Sequence, residues 1–158
     1  MEQHERLRAL INRLARLDAA ENWDGALNPA QRAALDYLGK ANRFSRSPSH
    51  VAEYLGATRG TISQTLKALA RKGFVSEEQS PADRRSISYQ LSDAGREMIG
   101  GKSLLATALA GIPAHQLTLI EAIFRHVFGA AVREHHSNPF GICHTCRYFN
   151  PHHAAGPA

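Results

Sequence analysis

The sequence predicts a mainly α-helical fold with one small β-hairpin. Apolar residues recur at helical spacing along most of the chain, residues that start and end helices punctuate it, and alternating residues mark a hairpin near residues 74–91. Between Ser47 and Leu91 the order is a short helix, a tight turn, a second amphipathic helix and the hairpin. This order is that of a helix-turn-helix followed by a wing.

Length and composition fit a globular protein with a real core. The chain has 158 residues, of which 43% are hydrophobic, which suggests one domain or one domain with extensions. No apolar run approaches the roughly 20 residues that span a bilayer, and the charged N-terminal segment has no apolar stretch typical of a secretory signal. We therefore expect a cytoplasmic protein with no membrane partner.

The positive charge is concentrated in one segment. The formal net charge is +5, and the segment from Lys40 to Arg85 alone carries nine basic and four acidic residues. A local basic excess on a compact module is typical of proteins that bind the phosphate backbone. The alternative for charge alone is a solvated basic face.

The central helices have clear boundaries in the sequence. Asn28 caps a helix predicted to run from about Pro29 to Ala41, with Ala33, Ala34, Tyr37 and Leu38 facing inward. Ser47 caps the next helix, from about Pro48 to Tyr54, and Gly56 ends it.

The helix that follows is amphipathic and leads into the hairpin. Thr58 caps it, Gly73 stops it, and its buried face is expected to be Ile62, Leu66 and Leu69. The first strand begins at residues 74–75, and residues 87–91 alternate as the return strand.

Long helices are predicted on both sides of this module. The first runs from Glu2 to about Glu21 and has an apolar face of Leu7, Leu10, Ile11, Leu14 and Leu17. Ser92 caps a fifth helix, whose candidate apolar residues are Met98, Leu104, Leu105 and Leu109, with a weak spot at Gly100-Gly101 where it could bend. A sixth runs from Pro113 to about Arg133 and has a wide apolar stripe: Leu117, Ile120, Ile123, Phe124, Val127 and Phe128.

This layout resembles the MarR family of bacterial transcriptional regulators. The specific match runs from about Leu27 to Ile99 and includes LNPAQRAALDYL, TRGTISQTLKALARKGFV and SPADRRSISYQLSDAGREMI. The resemblance as a whole extends from about Glu2 to Glu134. It implies an N-terminal dimerisation helix in residues 1–26, a winged helix-turn-helix in residues 27–99 and C-terminal dimerisation helices in residues 100–134.

The resemblance implies a homodimeric regulator of transcription. Independently, the stripes of the first and last helices are too large for the winged module to cover, and exposed stripes of that size usually mark an interface. A symmetric dimer predicts a pseudo-palindromic operator in double-stranded DNA. The resemblance further implies a nucleoid-associated repressor, which a small aromatic or lipophilic effector would release from DNA.

The amphipathic helix after the turn is predicted to lie in the major groove. Arginine and glutamine pair bidentately with base edges, serine and threonine are less selective, and helix ends suit phosphates. The alternative for the cations is contact with phosphates or solvent only. The candidates on the two helices of the helix-turn-helix are Ser47, Thr58, Arg59, Thr61, Ser63, Gln64 and Lys67.

The wing tip adds a second predicted contact. Arg84 and Arg85 lie at the hairpin turn, and a cationic tip can enter a narrow minor groove, where the negative potential is enhanced. The family resemblance implies that Asp83 and Arg85 hold the wing and reach DNA. The alternative is a solvated turn with a local Asp–Arg pair.

Two further groups of residues are weaker candidates for sensing a signal. Aromatic residues that could line an effector cleft, or be ordinary core, are Trp23, Tyr37, Phe44 and Tyr54. The tail, residues 135–158, lies outside the family pattern and contains a C-x-x-C motif, Cys143 and Cys146. That motif is half of a zinc site, which His144, His152 or His153 could complete, or part of an iron–sulfur site shared by two chains.

Other interpretations remain open at this point. The two cysteines could instead form a redox pair, in which Arg147 lowers the pKa of Cys146, or be spare thiols in an inert tail. A winged helix can also bind proteins and not DNA. An enzyme is not expected, because the GGKS segment at residues 100–103 has Arg96 where a phosphate-binding loop needs glycine, and no nucleophile–base signature is present.

Overall fold

The computed structural model describes residues 2–21, 25–79, 87–99 and 103–134. These residues form seven α-helices and one two-stranded antiparallel sheet. The elements are α1 Gln3–Glu21, α2 Pro29–Lys40, α3 Pro48–Leu55, α4 Arg59–Arg71, β1 Val75–Gln79, β2 Ile87–Leu91, α5 Asp93–Met98, α6 Leu104–Ala110 and α7 Ala114–Glu134. The predicted class, mainly helical with a small β-wing, is confirmed.

The predicted helix starts are confirmed by the capping contacts. Asn28 Oδ1 accepts from the Gln31 amide at 2.8 Å, and Gln31 Oε1 accepts from the Asn28 amide at 3.2 Å. Ser47, Thr58 and Ser92 cap α3, α4 and α5 through their hydroxyl oxygens. Each cap satisfies backbone N–H groups that a helix start leaves unpaired. These contacts are local, so the sequence could place them.

The core lies where α2, α3, α4 and the base of the sheet meet. Ala34, Tyr37 and Leu38 are buried as predicted, whereas Ala33 is only half-buried. Leu35, which was not predicted to face inward, is fully buried. Helix α2 packs against α3, α4 and β2 together, so its buried arc is wider than the stripe of a helix that packs on one side.

The sheet is joined to the segment that precedes α3. Strands β1 and β2 pair with Glu77 opposite Tyr89 and Gln79 opposite Ile87. The Tyr89 amide donates to the Arg46 carbonyl oxygen at 2.9 Å. The base of the hairpin is thereby bonded to the loop between α2 and α3.

The single fifth helix predicted from Ser92 to about Leu109 is wrong, because two helices occupy this part of the chain. Helix α5 ends at Met98, and α6 begins at Leu104 with Ser103 as its N-cap. Two consecutive glycines have the lowest helix propensity of any non-proline pair, and a serine shortly after them can start a new helix. The predicted sixth helix corresponds to α7 within one residue at each end.

The outer helices, α1 and α7, expose most of the apolar residues that the sequence predicts for their stripes, whereas Ile11, Leu117 and Ile120 are half-buried. No residue of α7 is buried, and Leu10 of α1 is 64% exposed. The other strongly exposed apolar residues of these two helices are Leu7, Leu14, Leu17, Leu119, Ile123, Phe124, Val127 and Phe128. The dimer itself stays a prediction. None of the described helices is long and apolar enough to cross a membrane.

Candidate nucleic-acid interface

Helix α4 has one buried face and one exposed polar face. Ile62, Leu66 and Leu69 are at most 1% exposed and hold the helix against α2 and α3. Side chains of the predicted contact set lie on the rest of its circumference: Arg59, Thr61, Gln64 and Lys67 are exposed and Ser63 is half-buried. The fold therefore leaves the donors and acceptors of α4 accessible to a large ligand.

The charge on α4 has one sign. The helix contains Arg59, Lys67 and Arg71 and no acidic residue. Within the described part of the chain, none of these three cations forms an ion pair. An uncompensated row of cations produces a positive potential, which attracts polyanions.

Threonines fix the start of α4. Thr58 Oγ1 accepts from the Thr61 amide at 3.1 Å and lies 2.8 Å from Thr61 Oγ1. Thr65 Oγ1 donates to the Thr61 carbonyl oxygen at 3.0 Å. Thr58 thus has a capping role in this structure.

The start of α3 includes a histidine that the sequence analysis missed. Ser47 Oγ accepts from the His50 amide at 3.4 Å and lies 2.9 Å from His50 Nδ1. His50 is half-buried. Its position three residues after a capping serine is the signal that could have identified it, since N-cap side chains reach the N3 residue.

Some of the basic residues counted in the sequence have structural partners. Lys72 Nζ donates to the Ala26 carbonyl oxygen at 2.6 Å and to Gln31 Oε1 at 2.9 Å. Arg46 Nε donates to the Ala41 carbonyl oxygen at 3.2 Å. The basic excess of this segment therefore includes charges that bind the fold together. The cations of α4 belong to its exposed part, as do Lys40 and Arg43.

The predicted wing-tip contacts, Asp83, Arg84 and Arg85, lie outside the described residues. The strands that lead to the tip are described from Val75 to Gln79 and from Ile87 to Leu91, and Gln79 pairs with Ile87. The role of the tip stays a prediction.

The predicted effector residues do not share one environment. Tyr37 is 3% exposed and its hydroxyl donates to the Ser45 carbonyl oxygen at 2.8 Å, so it is a core tyrosine. Its ring lies 4.7 Å from that of Tyr54. Phe44 is 68% exposed, and the Arg43 guanidinium lies 4.6 Å above its ring. Trp23 lies outside the described residues.

The Cys/His tail also lies outside the described residues. This applies to Cys143, His144, Cys146, His152 and His153. Among the residues that the structure does describe, no group of three His, Cys, Asp or Glu side chains is placed to hold a metal ion. The metal and redox hypotheses for the tail stay predictions.

Known proteins resemble this chain both in the sequence of its winged helix-turn-helix and in its overall fold. Residues 27–86 match the model of the MarR family. A stretch of 82 residues, 50% of this chain, is 28% identical to YkoM of Bacillus subtilis (strain 168), an uncharacterised HTH-type transcriptional regulator. The chain matches about half the length of that relative, 50% of it.

Two similar solved structures contain DNA. FabT of Streptococcus pneumoniae in complex with DNA has a TM-score of 0.62 at 22% identity, covering 81% of this chain and 94% of FabT. The S. aureus MepR–DNA complex has a TM-score of 0.63 at 14% identity, covering 82% of this chain and 98% of MepR. At these identities the likeness establishes the fold, including helices on both sides of the winged module.

Proposed function

We propose that this protein is a DNA-binding transcriptional regulator of the MarR family, whose model matches its winged-helix residues, 27–86. The observation that carries the proposal is the exposed face of α4. It presents an arginine, a glutamine, a lysine and hydroxyl groups on a helix whose other face is buried.

The chemistry of this face suits the major groove. An α-helix fits the width of that groove, where Arg59 could read guanine and Gln64 could read adenine through bidentate hydrogen bonds. Thr61 and Ser63 can contact several bases, and Lys67 suits a phosphate. We call α4 the recognition helix from here on.

Electrostatics support nucleic acid over a protein partner. The recognition helix has three basic residues and no acidic one. Protein–protein interfaces are depleted in charge at their centre, whereas phosphate contacts need unpaired cations. The comparison structures of FabT and MepR contain DNA, which supports the same class of partner for this fold.

The proposal includes a homodimer. The apolar faces of α1 and α7 are exposed within one chain, and a second copy would cover them with the same residues, as a two-fold axis requires. Two recognition helices would then meet half-sites about one helical turn, roughly 34–36 Å, apart. The expected operator is therefore a pseudo-palindrome.

Enrichment of bound genomic fragments, followed by salt-dependent mobility shifts, tests the proposal. Wild-type protein should select a pseudo-palindromic site, and Gln64→Ala should weaken binding to that site by about 1–3 kcal/mol while leaving non-specific affinity unchanged. Gln3→Ala, at an exposed position of α1, is the matched control and should behave as wild type.

Two results would contradict the proposal. Wild-type protein that selects no sequence and shows no salt-dependent DNA affinity would favour a winged helix that binds proteins. If Gln64→Ala reduced the affinity for all DNA sequences equally, Gln64 would contact the DNA backbone or contribute to folding, and it would not read a base.

A further inference from the structure

Ser92 joins the end of the recognition helix to the start of α5. Its Oγ donates to the Gly73 carbonyl oxygen at 2.6 Å and accepts from the Gly95 amide at 3.0 Å. The Ser92 amide also donates to the Phe74 carbonyl oxygen at 3.1 Å. One hydroxyl therefore caps α5 and, as a donor, binds the residues that end the recognition helix.

Gly95 shows how closely the two elements approach. It is buried in the first turn of α5, and a Cβ at this position would collide with the Phe74 carbonyl oxygen. No flexible side-chain end is available to move away, because the obstacle is backbone. The start of α5 is thus packed directly on the backbone that follows the recognition helix.

Ser103 forms the same kind of junction between α6 and α1. Its Oγ donates to Asp18 Oδ1 at 2.6 Å and accepts from the Ala106 amide at 3.2 Å. Asp18 Oδ1 also accepts from the Leu105 amide at 3.3 Å. This junction joins residues 85 positions apart in the chain and binds two helices outside the winged module to each other.

We propose that Ser92 and Ser103 are positioning residues that set the distance between the two recognition helices of the dimer. This inference rests on the proposed function. Each serine uses its lone pair to cap a helix and its proton to bind another element. Ser92 fixes the recognition helix to α5, and Ser103 fixes α6, the next helix along the chain, to α1.

The physical consequence concerns operator spacing rather than base recognition. A half-site is read by one recognition helix, whose core packing does not involve either serine. We attribute the spacing between half-sites to how firmly two junctions hold, that of the recognition helix with α5 and that of α6 with α1. Removing the donor at either junction should let each winged module bind its half-site while tolerating other spacings.

Aspartate separates the two roles of each serine. A carboxylate accepts from the helix amide, so Ser92→Asp and Ser103→Asp keep the cap, but an ionised carboxylate cannot donate. At position 103 it would also oppose the carboxylate of Asp18. Ser92→Thr and Ser103→Thr keep the hydroxyl and should restore wild-type behaviour. Asn28→Ala, which removes the N-cap of α2, is the matched control for the loss of a cap.

The experiment compares affinity for the selected operator with affinity for the same operator lengthened by one central base pair. The insertion moves the half-sites apart by about 3.4 Å, so wild-type protein should bind it much more weakly. Discrimination is the ratio of the affinity for the selected operator to the affinity for the lengthened one. We expect each aspartate variant to reduce this ratio about fivefold or more, the factor for one lost hydrogen bond. The affinity for a single half-site should be unchanged. Asn28→Ala should lower the melting temperature and keep the discrimination.

Each result is decisive. Aspartate variants that discriminate as well as the threonine variants, or Asn28→Ala that loses discrimination equally, would overturn the positioning role. If Ser103→Asp does not fold, Asp18→Ala removes the same hydrogen bond while keeping the cap, and unchanged discrimination there would overturn the role of Ser103. Failure of wild-type protein to bind any operator would instead refute the proposed function.

Discussion

The hydroxyl of Tyr89 donates a hydrogen bond of 2.8 Å to Glu77 Oε2 on the opposite strand. The two residues are directly paired in the sheet, and Tyr89 is 2% exposed. Burial, followed by the hydrogen bond and the negative charge of Glu77, raises the pKa of Tyr89 to about 12. Since the Tyr89 amide also binds Arg46, this tyrosine fixes the base of the wing to the loop before α3.

The raised pKa of Tyr89 predicts a loss of stability at alkaline pH. The folded protein holds the tyrosine proton more tightly than the unfolded chain, in which the pKa is about 10. This contribution to the free energy of unfolding is therefore complete below pH 10 and is lost as the pH rises through about 12. Urea unfolding between pH 9 and 12 should show a steeper decline for wild type than for Tyr89→Phe. Parallel curves would contradict the assignment.

Lys67 and Lys72 should separate DNA binding from folding. Lys67→Ala should reduce the slope of log affinity against log salt by about one unit if a phosphate contact is lost, with little change in stability. Lys72→Ala should change the salt slope less than Lys67→Ala does. It should lower the free energy of unfolding by about 1 kcal/mol, because Lys72 donates hydrogen bonds to Ala26 and Gln31. The two lysines are each other's control, and an exchange of these outcomes would refute both assignments.

The sequence could predict what local chemistry decides. Asn28, Ser47, Thr58 and Ser92 each satisfy an amide three residues ahead, so the helix starts follow from neighbouring residues alone. The buried triad of the recognition helix follows from helical spacing in the same way.

Partners distant in the chain could not be predicted. The bond from Lys72 to Gln31 spans 41 positions, and the bond from Ser103 to Asp18 spans 85. No periodicity relates such positions, because their approach depends on how whole helices pack. For the same reason the sequence places Lys72 among the charges available to DNA. The division between α5 and α6 has a local cause instead, because two glycines and a capping serine precede α6, so the sequence already contains its signal.

Arg85→Ala should weaken DNA binding without unfolding the protein. An exposed cation at a hairpin turn contributes little to a core, and the loss of one phosphate contact should reduce the salt slope by about one unit. Arg8→Ala, at an exposed position of α1, is a control of equal charge outside the winged module. Unchanged affinity of Arg85→Ala at low salt would refute the predicted role of the wing tip.

Phe124→Glu should weaken or abolish the dimer. Phe124 is 47% exposed within one chain, among other apolar side chains of α7, and a charge there would be costly to bury against a second copy. Sedimentation should show a shift towards monomer at protein concentrations where the wild type is dimeric. Ala122→Glu adds the same charge at an exposed position on the other side of α7. A fully dimeric Phe124→Glu protein would contradict the predicted interface.

The Cys/His tail predicts metal binding that should not affect the fold. Cys143 and Cys146 have the spacing of one half of a zinc site, and five of the nine histidines of the chain lie at or beyond His135. Thiolates must form when a metal binds, so binding should release protons and strengthen as the pH rises. Elemental analysis and the visible spectrum of anaerobically purified protein should distinguish zinc from an iron–sulfur cluster.

Cys143→Ser with Cys146→Ser should abolish the metal and retain DNA binding, because the winged module builds its own core without the tail. Protein that purifies metal-free, retains no added zinc or iron after dialysis, and binds DNA equally under oxidising and reducing conditions would refute both the metal and the redox hypotheses.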